Sequence, residues 1–352
     1  MLGFSIYLNE TNDTISKKIN LMKSHGFSVI FSSINLPEYD KAQIDDKINF
    51  LLSIIKNMGM KLILDVNNVT VNEYSIIEKI AYFDLTSQVY LRLDDGFSLE
   101  KIINIAEKNQ IVLNASTLTT ELILELEKQN LDFTKVLACH NYYPREDTGL
   151  DEKYFQTINK QLRNKKIKTI AFFGNSDATY ARGPIFSGLP TLEIHRYTHP
   201  LVSAINLLEK YNCDYAILSD LGLSNEMLDQ FDYYFCEKTV LLRVTEVNFE
   251  FQAELLSTHC SRNDISKNVI RCQQSRRRNN GVIRADIYPK ARDVGSVTLD
   301  NENYLRYMGE LQITKIPLAA DRRVNKIAQV IDEDLELLLY ITSGRMFKFK
   351  IV

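Results

Sequence analysis

The residues best suited to chemistry stand at the ends of short apolar runs. Asp65 closes Leu62-Ile-Leu-Asp65, Arg92 and Asp94 lie two apart at the end of Val89–Leu93, and Asn114 closes Ile111–Asn114. His140, Asn141, Tyr142, Tyr143 and Arg145 follow Val136–Cys139, Asn175 follows Thr169–Phe173, and Asp220 follows Tyr215–Leu218. The stretch Gly188-Leu-Pro-Thr-Leu-Glu-Ile-His-Arg196 adds Glu193, His195 and Arg196. Residues two apart on a strand share a face. An unpaired carboxylate is costly to bury, so these groups make poor core. Helix capping accounts for one or two of them, such as Asp95 or Asp220, but not for the set. Two carboxyl groups flanking a bond are the usual machinery of glycoside hydrolysis, one protonating the leaving oxygen and the other attacking or activating water. Asp94 and Glu193 are the expected pair, and Asp65 is the third candidate. The alternative is that Asp65 and Asp94 hold Arg92 and Arg196 in ion pairs and touch no reacting atom.

Eight runs of strand character hold these ends in place: Gly3–Tyr7, Val29–Ser32, Leu62–Val66, Val89–Leu93, Ile111–Asn114, Val136–Cys139, Thr169–Phe173 and Tyr215–Leu218. Between them lie stripes of helical period, such as Ile15, Ile19 and Met22 before Gly26. Others are Ile44, Ile48, Leu51 and Ile55 before Gly59, and Leu201, Ile205 and Leu208. Glycine just past a stripe stops a helix by adopting the left-handed conformation. The alternation predicts an α/β fold, a (β/α)8 TIM barrel over residues 1–231. The first turn lacks GxGxxG, which argues against an open nucleotide-binding sheet. Extra length after the seventh run, 174–200, falls on the face where barrel enzymes work. From Asp232 to Val352 the pattern becomes two-residue alternation with polar turns, including Arg278-Asn-Asn-Gly281. That predicts a second, mostly β domain over 232–352, a small barrel or sandwich.

Composition limits the rest. The 352 residues are 45% apolar and 25% charged, which excludes wholesale disorder. A net charge of −3 gives no nucleic-acid footprint. From Glu237 onward there are 19 basic and 15 acidic side chains, so the second domain is mildly basic and the first acidic. The N-terminus has no basic segment before its apolar stretch, and no run is long enough to span a bilayer. The five cysteines lack CxxC spacing and read as reduced structural thiols of a cytoplasmic protein. Tryptophan is absent, so sugar stacking falls to Tyr142, Tyr143 or Phe173.

Several stretches carry a family resemblance. Ile63-Leu-Asp-Val66, Leu91-Arg-Leu-Asp-Asp-Gly96, Cys139-His-Asn-Tyr-Tyr-Pro144 with Thr148-Gly-Leu150, Gly188–Arg196 and Tyr304-Leu-Arg-Tyr-Met-Gly-Glu-Leu-Gln-Ile313 resemble the bacterial 6-phospho-N-acetylmuramidases. The resemblance implies a TIM barrel followed by a cyclophilin-like domain. It also implies cleavage of the β-1,4 bond between 6-phospho-N-acetylmuramic acid and N-acetylglucosamine in cell-wall recycling. Asp94-Asp95-Gly96 departs from the family pattern by one added carboxylate.

On this reading Asp94, Glu193 and Asp65 are the catalytic candidates. Arg92, Asn114, His140, Asn141, Tyr142 and Arg196 are expected to bind substrate. A phosphate needs cations or helix-end amides. Arg271 and Arg292 are the expected suppliers from the basic second domain, which would close part of the cleft. The barrel's own candidates for the phosphate are Arg145, Arg196 and the amides near Gly174. No cofactor, metal, nucleic acid or membrane is expected, and a substrate acetamido oxygen is a third candidate nucleophile. The rival readings are a metal-dependent sugar-phosphate isomerase or epimerase using Asp65, His140, Glu193, His195 and Asp220, and a phosphosugar-binding protein. A Schiff-base aldolase lacks the strand-end lysine it needs.

Overall fold

The computed structural model describes residues 1–94, 96–278 and 281–352. The role of Asp95 and the centre of the turn expected at 278–281 lie outside the described residues. Parallel pairing closes β1 (Leu2–Ser5), β2 (Val29–Ser33), β3 (Lys61–Val66), β4 (Val89–Leu93), β5 (Gln110–Asn114), β6 (Val136–Cys139), β7 (Lys168–Phe173) and β8 (Tyr215–Leu218) into a barrel, with β8 returning to β1. The barrel predicted from the strand runs is the one observed. Its interior is filled by Val29, Phe31, Ile63, Val112, Leu137, Cys139, Ile170, Phe172, Tyr215 and Ile217, one inward side chain at every second position.

The surrounding helices follow the predicted stripes. Asn12–Ser24 starts at Thr11, whose side chain accepts the Thr14 N–H, and buries Ile15, Ile19 and Met22. Lys41–Met58 starts at Asp40, buries Ile44, Ile48, Leu51 and Ile55, and ends at Gly59 with φ 64°. The third stripe departs from expectation. Pro200–Ile205 runs into a π turn, Asn206–Lys210, whose extra residue rotates the helix so that Leu207 is buried and Leu208 only half-buried.

The chain divides into two compact units, Met1–Leu223 and Ser224–Val352. The second opens with helix Asn225–Phe235, whose buried Gln230 donates to Leu241 O and to Asp334. Its strands are β9 (Thr239–Thr245), β10 (His259–Cys260), β11 (Val269–Arg271), β12 (Ser296–Asp300), β13 (Leu311–Thr314), β14 (Val324–Val330) and β15 (Met346–Ile351). They form a curled mixed sheet in the order β10-β15-β9-β14-β12-β13-β11, in which only β15 and β9 run parallel. No helix among the described residues is long and apolar enough to cross a membrane.

Candidate active site

Strand register assembles the centre of the site. Ser33 on β2 pairs with Asp65 on β3, and Asp65 with Arg92 on β4, so three polar side chains stand in one row at the barrel mouth. Ser33 Oγ donates to Asp65 Oδ2 at 2.8 Å, and Arg92 Nη1 pairs with Asp65 Oδ1. The same Nη1 lies 3.5 Å from Asp94 Oδ1, and Arg92 Nη2 donates to Asn141 Oδ1 at 2.6 Å. Burial pushes the Asp65 carboxyl up, against the opposing pull of Arg92 and Ser33. Burial also works against the Arg92 charge, but Asp65 and the groups beside it keep that guanidinium firmly protonated. Asp65 and Arg92 are buried, whereas the Asp94 side chain is 38% exposed. Asp94 is thus the carboxyl of this row that a solute can reach.

The row forms one wall of a cavity of about 380 Å³ lined by Phe31, Asp65, Arg92, Asp94, Asn114, Asn141, Tyr142, Tyr143 and Phe172. That volume falls within the range of small-molecule sites. Phe172 packs edge-on against both Phe31 and Tyr142, at 5.0 and 5.2 Å between ring centres, and gives the cavity an aromatic floor. Phe173, the ring expected from sequence, is fully buried outside the cavity, because neighbours on a strand face opposite ways and it is Phe172 that turns inward. Arg92→Lys is expected to lower kcat/KM about 100-fold, because an ammonium cannot reach Asp65, Asp94 and Asn141 together. Steady-state kinetics alongside thermal unfolding would read this.

Glu193 is not brought to this cavity. Its carboxylate accepts the Asp147 N–H at 3.1 Å and the Gly149 N–H at 2.7 Å. Arg196 Nε and Nη2 each donate to it at 2.6 Å. The hydrogen bonds from Arg196, then those from the two amides, hold the carboxyl down at about 2. Arg196 is buried and also donates to the carbonyls of Tyr143, Arg145 and Gly188, at 3.1, 3.0 and 3.2 Å. The pair is a clasp between the loops after β6 and β7. Glycine is required at 149, where a Cβ would come within 2.6 Å of Glu193 N.

The remaining candidates separate as well. His140 is buried against Phe155, with Nε2 at 2.8 Å from Asn159 Oδ1, and burial lowers its pKa to about 4. It is a neutral packing residue beneath the site. His195 is likewise buried, with its pKa lowered to about 4. Asp220 accepts the backbone N–H groups of Asn175, Arg182 and Leu189 at 2.8, 2.8 and 2.9 Å, tying down the long loop after β7. The metal set considered from sequence is therefore dispersed, and among the described residues no three His, Cys, Asp or Glu side chains converge as ligands. Cys139 is buried inside the barrel, which pushes its thiol up to about 12. In the second unit Arg271 forks onto Glu310 at 2.6 and 2.9 Å, and Arg292 caps Ala319 O at 3.0 and 2.7 Å. Ser33, Asn35, Phe31 and Phe172 were missed from sequence: the register of β2 with β3 sets Ser33 beside Asp65, Asn35 Nδ2 lies 3.4 Å from Asp65 O, and Phe31 and Phe172 line the cavity.

A closed α/β barrel with grouped carboxylates where β3 and β4 end, followed by a β unit, has the build of a barrel glycosidase. The chain belongs to the 6-phospho-N-acetylmuramidase family: the profile of the family's N-terminal domain matches residues 2–233, and that of its C-terminal domain matches 240–350. It is thus a glycosidase acting on a 6-phospho-N-acetylmuramyl linkage. Among solved structures it is similar to a conserved Enterococcus faecalis protein of unknown function, with 34% identity and a TM-score of 0.88 over 100% of this chain and 96% of that one. It is also similar to an uncharacterized B. cereus protein, with 25% identity and a TM-score of 0.72 over 99% of both chains. Comparison with curated proteins gave no match.

Proposed function

We propose that the cavity at the ends of β3 to β6 holds the 6-phospho-N-acetylmuramyl unit of a phosphorylated muramyl disaccharide, and that Asp94 is the general acid and then the general base. The observation that carries this is the geometry of the row. Asp94 is the accessible carboxyl on the cavity wall, while Asp65 is already engaged by Arg92 and Ser33. One Arg92 nitrogen reaches both carboxylates, which leaves them closer than the roughly 6.5–9.5 Å that inverting enzymes use to admit water. Asp65 is too committed to act as a nucleophile, so the substrate's own acetamido oxygen takes that part.

In the first step the Asp94 carboxyl gives its proton to the glycosidic oxygen as the C1–O bond breaks, and the bonding pair goes to that oxygen. The acetamido carbonyl oxygen bonds to C1 from the opposite face, closing an oxazolinium ring, and N-acetylglucosamine leaves. In the second step the Asp94 carboxylate takes a proton from water, whose oxygen bonds to C1 and reopens the ring. Asp65 holds Arg92, and Arg92 with Asn141 fixes where Asp94 points. Two inversions at C1 give net retention. The reaction suits a cytoplasmic step of cell-wall recycling, after phosphorylating uptake of the fragment.

Incubation with the phosphorylated disaccharide, followed by proton NMR, tests this reading. The β anomer of 6-phospho-N-acetylmuramic acid is expected first, before mutarotation. The α anomer would mean that water attacks directly, and no cleavage would remove the assignment.

A further inference from the structure

The carboxylate side of the barrel mouth is a poor seat for a phosphate. Its cation among the described residues, Arg92, is shared by Asp65 and Asp94, and a dianion placed there meets two like charges. Arg196 is saturated by Glu193 and three carbonyls. Arg145 is exposed on its loop.

Arg182 differs from both. It belongs to the long loop after β7, and its backbone N–H is fixed at 2.8 Å to the Asp220 carboxylate that also holds Asn175 and Leu189. Its guanidinium lies 4.2 Å over the centre of the Tyr7 ring. Its Nη2 pairs with Glu38, which comes from the loop after β2; the Arg182 side chain is 16% exposed and that of Glu38 43%. Tyr39 and Tyr142 have phenols pushed up chiefly by burial, and the nearby Arg182 charge opposes that rise in both. Tyr142 lines the cavity. Arg182 is therefore a cation seated on an aromatic ring and anchored through its backbone. Its loop follows β7 and its partners Tyr7 and Glu38 follow β1 and β2, so it stands at the same mouth of the barrel, over the arc opposite β4 and Asp94. A guanidinium fork can grip two phosphate oxygens, whereas Glu38 engages it through one nitrogen and is the more exposed partner.

We propose that Arg182 anchors the 6-phosphate of the substrate, with the phosphate displacing Glu38 from the guanidinium. The proposal rests on cleavage of a phosphorylated muramyl linkage at this cavity. Arg182 is a positioning and specificity residue, since it touches the phosphate and not the bond that breaks.

The test compares kcat and KM on the phosphorylated disaccharide and on its unphosphorylated counterpart, for the wild type, Arg182→Met, Arg182→Lys and Arg145→Met. Arg182→Met is expected to lower kcat/KM about 100-fold on the phosphorylated substrate, mainly through KM. It should change the unphosphorylated one less than about threefold, and Arg182→Lys should recover part of the loss. Inorganic phosphate should inhibit the wild type competitively and the Met variant about tenfold more weakly. Equal losses on both substrates, no loss on either, or transfer of the effect to Arg145→Met would overturn the proposal. If the wild type cleaves neither substrate, the assigned reaction itself fails. Arg182 is then judged by calorimetric titration with inorganic phosphate, where equal binding by the wild type and Arg182→Met would overturn its role.

Discussion

Asp94→Asn is expected to lower kcat/KM on the phosphorylated disaccharide by about 1,000-fold, nearly all of it in kcat, while the protein stays folded and still binds substrate. An amide is too weak an acid to protonate the leaving oxygen and too weak a base to take a proton from water, so both steps fail at the same side chain. The fold should not notice. The side chain is 38% exposed and its ion pair with Arg92, at 3.5 Å, is long, so its removal costs about 0–1 kcal/mol. Asp65→Asn is expected to behave differently. It removes the buried partner of Arg92 and weakens activity and stability together, because Arg92 then loses its orientation. A comparison of kinetics with unfolding curves separates the two roles. Turnover of the Asp94 variant within tenfold of the wild type would remove Asp94 from the chemistry.

Glu193→Gln should act on stability first. The Arg196 side chain is 1% exposed, and losing its carboxylate leaves a guanidinium with carbonyl partners only. Breaking a buried pair costs about 3–5 kcal/mol; with Glu193 at 30% exposure, about 2–4 kcal/mol is expected. For a barrel of this size that corresponds to a Tm lower by roughly 5–15 °C. The pH dependence has a definite sign. The folded pKa is held at about 2, below the ordinary 4.5, chiefly by Arg196. The ionised clasp therefore stabilises the fold fully above pH 4.5, and that contribution is lost as pH falls toward 2. The Tm gap between wild type and variant should shrink on acidification from neutral pH. Activity of the folded variant should stay within about tenfold, with KM rising because Arg196 also holds the Tyr143 carbonyl behind the cavity. A loss of kcat as large as that of the Asp94 variant, with unchanged Tm, would return Glu193 to the chemistry.

The contrast between these two carboxylates shows what the sequence could and could not disclose. Period-two and period-3.6 patterns are direct images of backbone geometry, so the barrel strands and the helix stops at Gly26 and Gly59 were legible. The spacing of Arg92 and Asp94 also transferred, since two residues along a strand always share a face. Glu193 did not transfer. Its role is set by Arg196, three residues later on the same 3-10 turn, and by amides at 147 and 149 that no local pattern links to it. His140 and Asp220 mislead for the same reason. A polar residue at a strand end turns toward the mouth or toward the helices according to neighbours distant in sequence, here Asn159 and the loop after β7. Phe172 was hidden by its twin, because one residue of phase decides which of two adjacent rings faces the site.

The most direct test of where the chemistry occurs is a crystal structure of the Asp94→Asn variant soaked with the phosphorylated disaccharide. The muramyl unit is predicted to lie over Phe172 and Tyr142, with the glycosidic oxygen within hydrogen-bonding distance of the side chain at position 94. The same sugar seated beside Glu193, with the cavity between Asp65 and Tyr143 left to water, would contradict the account.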